Sequence, residues 1–143
     1  MDISKLVDAA YRAMMNAYAP YSGLKVGAAL YTDEEEIYTG CNVENASLGL
    51  SICAERAAIF KAISQGERKF TAVAVISLGS DYIYPCGACR QVIAEFGDDI
   101  LIFMANGKKE YQVANIKELL PLNFEFPADC KGHSKYGGRL RYE

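Results

Sequence analysis

The sequence is short of several residue types, and each shortage excludes a class of protein. Among its 143 residues there are no tryptophans, one histidine and four prolines, and 51% are hydrophobic, which excludes a disordered or collagen-like chain. Basic residues never occur in a run longer than two and the formal net charge is −3, which argues against binding to a nucleic-acid backbone. No apolar stretch reaches the roughly 18 residues of a membrane span, and the N-terminus has no basic or hydrophobic signal segment. We therefore expect a cytoplasmic protein with no nucleic-acid partner and no membrane partner.

The pattern of apolar residues predicts an alternation of helices and strands. Residues 2–17 carry apolar side chains at helical spacing. Residues 70–77 and 100–105 are nearly all apolar, as in strands that are buried on both faces. Helices separate these two strands, so we expect them to be parallel neighbours covered on both sides. In chain order the expected elements are helix 2–17, strands 25–31 and 36–43, helix 53–65, strand 70–77, helix 86–96, strands 100–105 and 110–113, and helix 116–120.

Turn residues complete this prediction. The acidic turn at 33–35 predicts one hairpin, and Asn106-Gly107 predicts a second hairpin with a two-residue turn. Gly66 is placed to end a helix, and Asn115 to cap the last one. The fold expected is a three-layer α/β/α domain around a mixed five-stranded sheet. It spans residues 1–126, and an irregular C-terminal tail occupies residues 127–143.

Three of the five cysteines have the spacing of a metal site. Cys53 opens one predicted helix, and Cys86 and Cys89 lie three residues apart at the start of the next, where both sulfurs share a face. Three soft sulfur ligands favour tetrahedral Zn²⁺. A structural zinc site uses four protein ligands, whereas a catalytic one leaves the fourth position to water. One catalytic zinc ion per chain is therefore expected.

Two charged residues next to Cys53 suit such chemistry. Glu55 is close enough to exchange a proton with water at the metal, but badly placed to be a ligand. Three thiolates around Zn²⁺ carry a net charge of −1, which reduces its Lewis acidity. Helix N-termini at the thiolates, and a hydrogen bond from Arg56 to a sulfur, would offset that charge.

Other interpretations exist for each of these residues. A lone Cys-x-x-Cys pair is equally typical of a redox site or half a structural zinc site. A redox pair explains neither a third cysteine nor Glu55, and the catalytic zinc site accounts for both. Cys41 is expected to be a packed small residue rather than a ligand. Cys130 and His133 lie in the predicted tail, and we assign them no role.

The ordered motifs make the chain resemble the small zinc-dependent cytidine deaminases that act on free nucleosides. The resemblance rests on Cys53-Ala54-Glu55-Arg56 and Pro85-Cys86-Gly87-Ala88-Cys89-Arg90-Gln91. It extends from Tyr18-Ala19-Pro20-Tyr21-Ser22, through Val26-Gly27-Ala28-Ala29-Leu30 and Gly40-Cys41-Asn42-Val43-Glu44-Asn45-Ala46, to Glu118-Leu119-Leu120-Pro121.

The resemblance implies roles for individual residues. Zinc would be held by Cys53, Cys86 and Cys89, and Glu55 would move the proton. Asn42 and Glu44, with Val43 between them, would bind the nucleoside through a ribose hydroxyl, and the backbone near Ala54 and Pro85 would meet the pyrimidine edge. Phe124 matches an aromatic residue that reaches the active site of a neighbouring subunit. The short family members are homotetramers with shared active sites.

Two positions depart from the family pattern. Leu24 stands where the family usually has a phenylalanine that packs on the substrate, and Leu48 stands where it usually has a tyrosine near a subunit contact. The expected reaction is hydrolytic deamination of cytidine and 2′-deoxycytidine in pyrimidine salvage. The departures leave a second candidate, deamination of a modified cytosine nucleoside. A third candidate is a non-catalytic zinc or nucleoside-binding module, which would have no use for Glu55.

Overall fold

The computed structural model describes residues 1–127 of the chain. Its elements are α1 (Ile3–Met14), β1 (Val26–Thr32), β2 (Ile37–Cys41), a 3-10 turn (Leu48–Leu50), α2 (Ala54–Ser64), β3 (Phe70–Ser77), α3 (Gly87–Ala94), β4 (Leu101–Ala105), β5 (Tyr111–Asn115) and α4 (Ile116–Leu119).

The five strands form one mixed sheet in the order β2-β1-β3-β4-β5. The β3–β4 pair is parallel, and the other three pairs are antiparallel. Alternate residues of β1 point to opposite faces, so Ala29 packs with α1 in one buried cluster and Leu30 packs with α2 in the other. The three-layer α/β/α prediction is therefore confirmed, including the parallel central pair.

A glycine in β2 fixes the height of α2 above the sheet. A Cβ atom on Gly40 would lie 2.5 Å from the carbonyl oxygen of Ala54 and 2.5 Å from the amide nitrogen of Ala58. Only glycine permits this approach, because any side chain would push the first turn of the helix away. The start of α2, which carries Cys53 and Glu55, is thus held directly against the sheet.

The helices are shorter than the sequence predicted. Helix α1 ends at Met14 rather than at residue 17, because the chain turns away to pair with the segment after β2. The amide of Tyr18 donates to the carbonyl of Asn42 at 3.0 Å, and the amide of Glu44 donates to the carbonyl of Tyr18 at 2.8 Å. These long-range bonds outweigh the helical pattern of the local sequence. The helices predicted at 53–65 and 86–96 begin one residue later, at Ala54 and Gly87, and Cys53 and Cys86 are their N-caps.

The predicted two-residue turn at Asn106-Gly107 is wrong. The last backbone hydrogen bond before the turn joins the amide of Asn106 to the carbonyl of Glu110, so the loop holds three residues. The last of these, Lys109, has a positive φ of 64°. Side-chain bonds favour the longer loop, because Asn106 Oδ1 accepts from the amides of Lys108 (3.0 Å) and Glu110 (3.1 Å). Gly107 serves a close contact instead, since a Cβ atom there would lie 2.3 Å from the carbonyl oxygen of Leu78.

The other predicted turns and caps are confirmed. The acidic hairpin turn lies at 33–35, and Asn115 caps α4 in a reciprocal capping box with Glu118. The predicted tail lies outside the described residues except for Pro127, and Cys130 and His133 lie outside them as well. Among the helices of residues 1–127, none combines the length and hydropathy needed to cross a bilayer.

Candidate active site

Three cysteine sulfurs converge where α2 and α3 begin. The Sγ atoms of Cys53, Cys86 and Cys89 all lie within 4.8 Å of one another, and the Cys53 and Cys86 sulfurs are 3.7 Å apart. Two sulfurs bound at about 2.3 Å to one tetrahedral zinc ion would be about 3.8 Å apart. The spacing and the donor set therefore fit zinc, and the cluster accounts for one ion per chain.

Helix geometry brings these sulfurs together. Cys53 is the N-cap of α2 and Cys86 is the N-cap of α3, and the amide of Cys89 donates to Cys86 Sγ at 3.4 Å. Unpaired amides and the helix dipole make such ends favourable for negative charge. Cys89, one turn into α3, is fully buried. The fold thus presents the three sulfurs at the two positively polarised helix ends, as the sequence predicted.

Arg56 supplies a positive charge to this cluster. Its Nη2 donates to Cys53 Sγ at 3.3 Å, while its buried Nε has no hydrogen-bond partner among the described residues. Hydrogen bonds from the Cys89 thiol and from Arg56 lower the pKa of Cys53 to about 5. The pKa of Cys89 is raised, because it keeps its proton in the bond to Cys53 and is buried. The bond to Cys53 also raises the pKa of Arg56, which keeps the guanidinium charged.

Glu55 is a buried carboxyl group beside the sulfurs. It is only 4% exposed, and this burial raises its pKa, an effect that the negative charge of Cys53 reinforces. A carboxyl group with a raised pKa can both accept and return a proton near neutral pH. Its environment is that of a proton carrier rather than of a solvated surface residue.

Asn42 and Glu44 organise the loop between α1 and β1. Asn42 accepts from the amide of Val26 and donates to the carbonyl of Leu24, both at 2.8 Å. Glu44 accepts from the amides of Tyr21 (2.9 Å) and Ser22 (3.0 Å) and from the Ser22 hydroxyl. These bonds, with the Ser22 hydroxyl contributing most, lower the pKa of Glu44. Within the described residues, the Asn42 amide retains an unused N–H donor and the Glu44 carboxylate retains an unused acceptor position.

A cavity of about 450 Å³ joins these groups. It is lined by the predicted site residues Leu24, Asn42, Glu44, Cys53, Ala54, Glu55, Arg56 and Cys86, and by Leu48. Three predicted site residues do not line it: Val43, Phe124 and the fully buried Cys89. Val43 pairs through its backbone with Ile52, so it holds the segment that leads into Cys53. Phe124 lies on the outer surface, 68% exposed, and its carbonyl accepts from Gln91 Nε2 at 3.0 Å.

Sequence reasoning assigned no role to several residues that line the cavity, among them Ser22 and Tyr84. Ser22 lines the cavity and orients Glu44, and Tyr84 lines it directly before Pro85. Nothing in the sequence links Ser22 to Glu44, because 22 residues separate them. The available signal for Tyr84 was its position, two residues before Cys86 of the sulfur cluster.

Comparison with known proteins agrees with this geometry. Residues 1–105 match the family described as the cytidine and deoxycytidylate deaminase zinc-binding region. A cytidine deaminase of Sporosarcina psychrophila is 44% identical over 122 residues, which cover 85% of this chain and 90% of the relative. A probable cytidine deaminase of Dictyostelium discoideum is 44% identical over 84% of this chain and 82% of its own length.

Solved structures share both fold and sequence with the chain. The crystal structure of cytidine deaminase from Burkholderia pseudomallei superposes with a TM-score of 0.84 at 46% identity, covering 87% of this chain and all of the other. The cytidine deaminase of Mycobacterium tuberculosis superposes with a TM-score of 0.78 at 36% identity, covering 88% of this chain and 99% of the other.

Proposed function

The chain belongs to the cytidine deaminase family, and we propose that it catalyses the hydrolytic deamination of cytidine and 2′-deoxycytidine to uridine and 2′-deoxyuridine. The observation that carries this proposal is a buried carboxyl group, Glu55, next to three converging sulfurs at the wall of a nucleoside-sized cavity. Residues 1–126 form the catalytic domain in this proposal.

Cys53, Cys86 and Cys89 are the residues that would hold zinc. Zinc held by three protein ligands supplies a Lewis acid that activates water as a nucleophile. Glu55 takes a proton from the attacking water and delivers it to N3 of the pyrimidine, while the oxygen bonds to C4 of the base. Glu55 then carries the second proton to the exocyclic amine, the C4–N bond breaks, and ammonia leaves as the carbonyl of uridine forms. Water and the cytosine nucleoside thus account for every atom of the products.

Asn42 and Glu44 are suited to bind the sugar. The unused donor on Asn42 and the unused acceptor on Glu44 complement a ribose hydroxyl, which both accepts and donates. Their existing bonds to the loop at 21–26 keep both side chains in place before substrate arrives. The buried residue Ala54 lines the cavity, and in this proposal its backbone meets the edge of the base.

The charges around the cavity favour a free nucleoside over a nucleotide or a nucleic acid. Arg56 is the only basic residue among the described residues that line the cavity, and it is committed to Cys53. A phosphate group would therefore find no free cation there, and it would face the carboxylate of Glu44.

Exposed apolar residues support assembly into a homotetramer with shared active sites. Leu122, Phe124 and Phe126 are all exposed in the segment after α4, and Phe60 is half-exposed on α2. Apolar surface of this kind on a small domain marks a protein interface. Phe124 would then enter the cavity of a neighbouring subunit.

A mixing experiment tests the shared site. Phe124→Ala and Glu55→Gln chains should each be poorly active alone, but hybrid tetramers should recover activity. In a hybrid, the intact Glu55 of one chain meets the intact Phe124 of the other. No recovery in hybrids, or a fully active monomer of 15.7 kDa by light scattering, would contradict the shared site.

The three cysteines of the cluster need a reducing compartment to remain thiolates, which supports a cytoplasmic location. A cytoplasmic deaminase of free cytosine nucleosides would serve pyrimidine salvage.

Turnover of cytidine is the direct test of the main proposal. Zinc-loaded enzyme should convert cytidine to uridine with a stoichiometric release of ammonia. The change in ultraviolet absorbance measures this conversion. Glu55→Gln protein is the matched control and should bind cytidine without converting it. Binding without turnover by the wild-type protein would instead identify a non-catalytic nucleoside-binding module.

A modified cytosine nucleoside is the second candidate substrate. Leu24 and Leu48 line the cavity and are both more than half exposed, so neither closes its mouth. A panel of nucleosides substituted on the sugar or the exocyclic amine would reveal a preference over cytidine.

A further inference from the structure

A single aromatic side chain lines the cavity within residues 1–127. Among its lining residues within the described chain, Tyr84 carries the only aromatic ring, and the other apolar side chains there are aliphatic. The ring is 52% exposed although it lies next to the buried Pro85. An aromatic ring half-open to a cavity is available to pack against another flat ring.

Hydrogen bonds hold both ends of this tyrosine. Its hydroxyl donates to Gln112 Oε1 on β5 at 3.2 Å. On one side of its backbone, the amide of Ile83 donates to the carbonyl of Ala105 at 3.3 Å. On the other side, Arg90 Nε donates to the carbonyl of Pro85 at 2.9 Å. The hydroxyl bond and the bonds of the two neighbouring residues restrain the ring before any ligand binds, which reduces the entropy cost of packing against it.

We propose that Tyr84 is the aromatic wall of the nucleoside cavity, where it binds the pyrimidine ring, and that Gln112 is a positioning residue that holds Tyr84 in place. This inference rests on the proposed function for the identity of the ligand. The contact is specific for a flat base, because the ring of Tyr84 is an aromatic surface. Leu24, which lines the same cavity, offers only an aliphatic surface.

Binding of cytidine to zinc-loaded Glu55→Gln protein, measured by calorimetry, tests the proposal without turnover. Tyr84→Leu should weaken the cytidine Kd by about 5- to 100-fold, the usual range for loss of one base–aromatic contact. Tyr84→Phe and Gln112→Leu each remove only the anchoring bond, so both should weaken binding equally and by less than Tyr84→Leu. In the active enzyme the same changes should raise KM more than they lower kcat.

The matched control is Tyr111→Leu, because Tyr111 is the neighbour of Gln112 on β5 but packs with Phe103 on the opposite face of the sheet. It should leave the cytidine Kd and KM unchanged. Zinc content should remain one per chain in every variant. Should Tyr84→Leu fail to fold, the comparison of Tyr84→Phe with Gln112→Leu decides the question.

Three results would overturn the inference. The first is a cytidine Kd for Tyr84→Leu within twofold of the parent protein. The second is weaker cytidine binding by Tyr84→Phe with unchanged binding by Gln112→Leu, since the hydroxyl would then bond to the ligand and not to Gln112. The third is a fall in kcat with unchanged KM and Kd. Failure of the proposed function is distinguished from these, because it would appear as absent turnover in the wild-type enzyme.

Discussion

Arg56 Nη2 lies 3.3 Å from Cys53 Sγ and donates a hydrogen bond to it. The guanidinium is partly buried, and within residues 1–127 its Nε has no hydrogen-bond partner. A charged group buried in this way is costly unless it compensates an opposite charge. Three thiolates and one Zn²⁺ leave a net charge of −1, which this guanidinium neutralises at short range.

Replacing Arg56 should therefore weaken the metal site without removing a ligand. Arg56→Gln is expected to lower zinc affinity or kcat by about 10- to 100-fold, the usual cost of losing an outer partner of a metal ligand. Competition with a chromogenic chelator measures the affinity. Arg12→Gln, an exposed change on α1, is the control and should have no effect. If zinc affinity and kcat both stay unchanged, Arg56 has only a structural role.

Glu55→Gln should separate activity from stability. We expect kcat to fall by about 10²- to 10⁴-fold or more, because the proton carrier is lost. Burial raises the pKa of Glu55, so in the folded state its ionised form is disfavoured and costs stability as pH rises above the ordinary carboxyl range. The neutral amide avoids this cost, so the Tm at pH 8 should equal or exceed that of the wild type. A kcat within tenfold of wild type would contradict the assignment.

Zinc should stabilise the fold by joining the starts of α2 and α3. Wild-type protein purified without chelators should contain one zinc per chain, and its removal should lower Tm by about 5 °C or more, since metal bound only to the native state adds to stability. Cys86→Ala should abolish zinc binding and make Tm insensitive to chelator. Cys41→Ala, which lies outside the cluster, should keep both properties. Full activity after complete removal of zinc would contradict the metal assignment.

The pKa of Glu44 should depend on the hydroxyl of Ser22. The hydrogen bond from that hydroxyl is the largest cause of its lowered pKa, so Ser22→Ala should shift the pKa upward, toward the ordinary value. Carbon-13 NMR of labelled glutamate measures the shift. A lowered pKa in the folded state means that the stabilising bonds persist above the usual carboxyl range and are lost as pH falls. The rise of KM at low pH should therefore begin at higher pH in Ser22→Ala. Identical titration curves would show that the hydroxyl does not bind the charged form.

Leu24→Phe should improve activity on cytidine at the expense of larger substrates. A ring at this edge of the cavity would add area against the base, and we expect kcat/KM for cytidine to rise by about 3- to 10-fold. Nucleosides substituted on the exocyclic amine should lose activity relative to cytidine. Leu101→Phe, on β4 away from the cavity, is the control. If every ratio stays the same, position 24 does not contact the substrate.

The sequence alone determined the local chemistry of this protein. The order of helices and strands followed from apolar periodicity, and the zinc cluster followed from three cysteines at predicted helix starts. These inferences depend on residues that are close in the chain or on patterns that one element repeats, so no long-range contact was needed. The acidic hairpin turn and the cap at Asn115 are local in the same sense.

Only the tertiary structure decided what depends on contacts between distant segments. Helix α1 ends early because Tyr18 pairs with Asn42 and Glu44, and Gly107 is required by its close approach to Leu78 rather than by a two-residue turn. Glu44 proved to organise a loop 22 residues away, and Tyr84 became a wall of the cavity through a bond to Gln112. Such pairings arise when packing brings separate strands and loops together, and no spacing within a single segment encodes them.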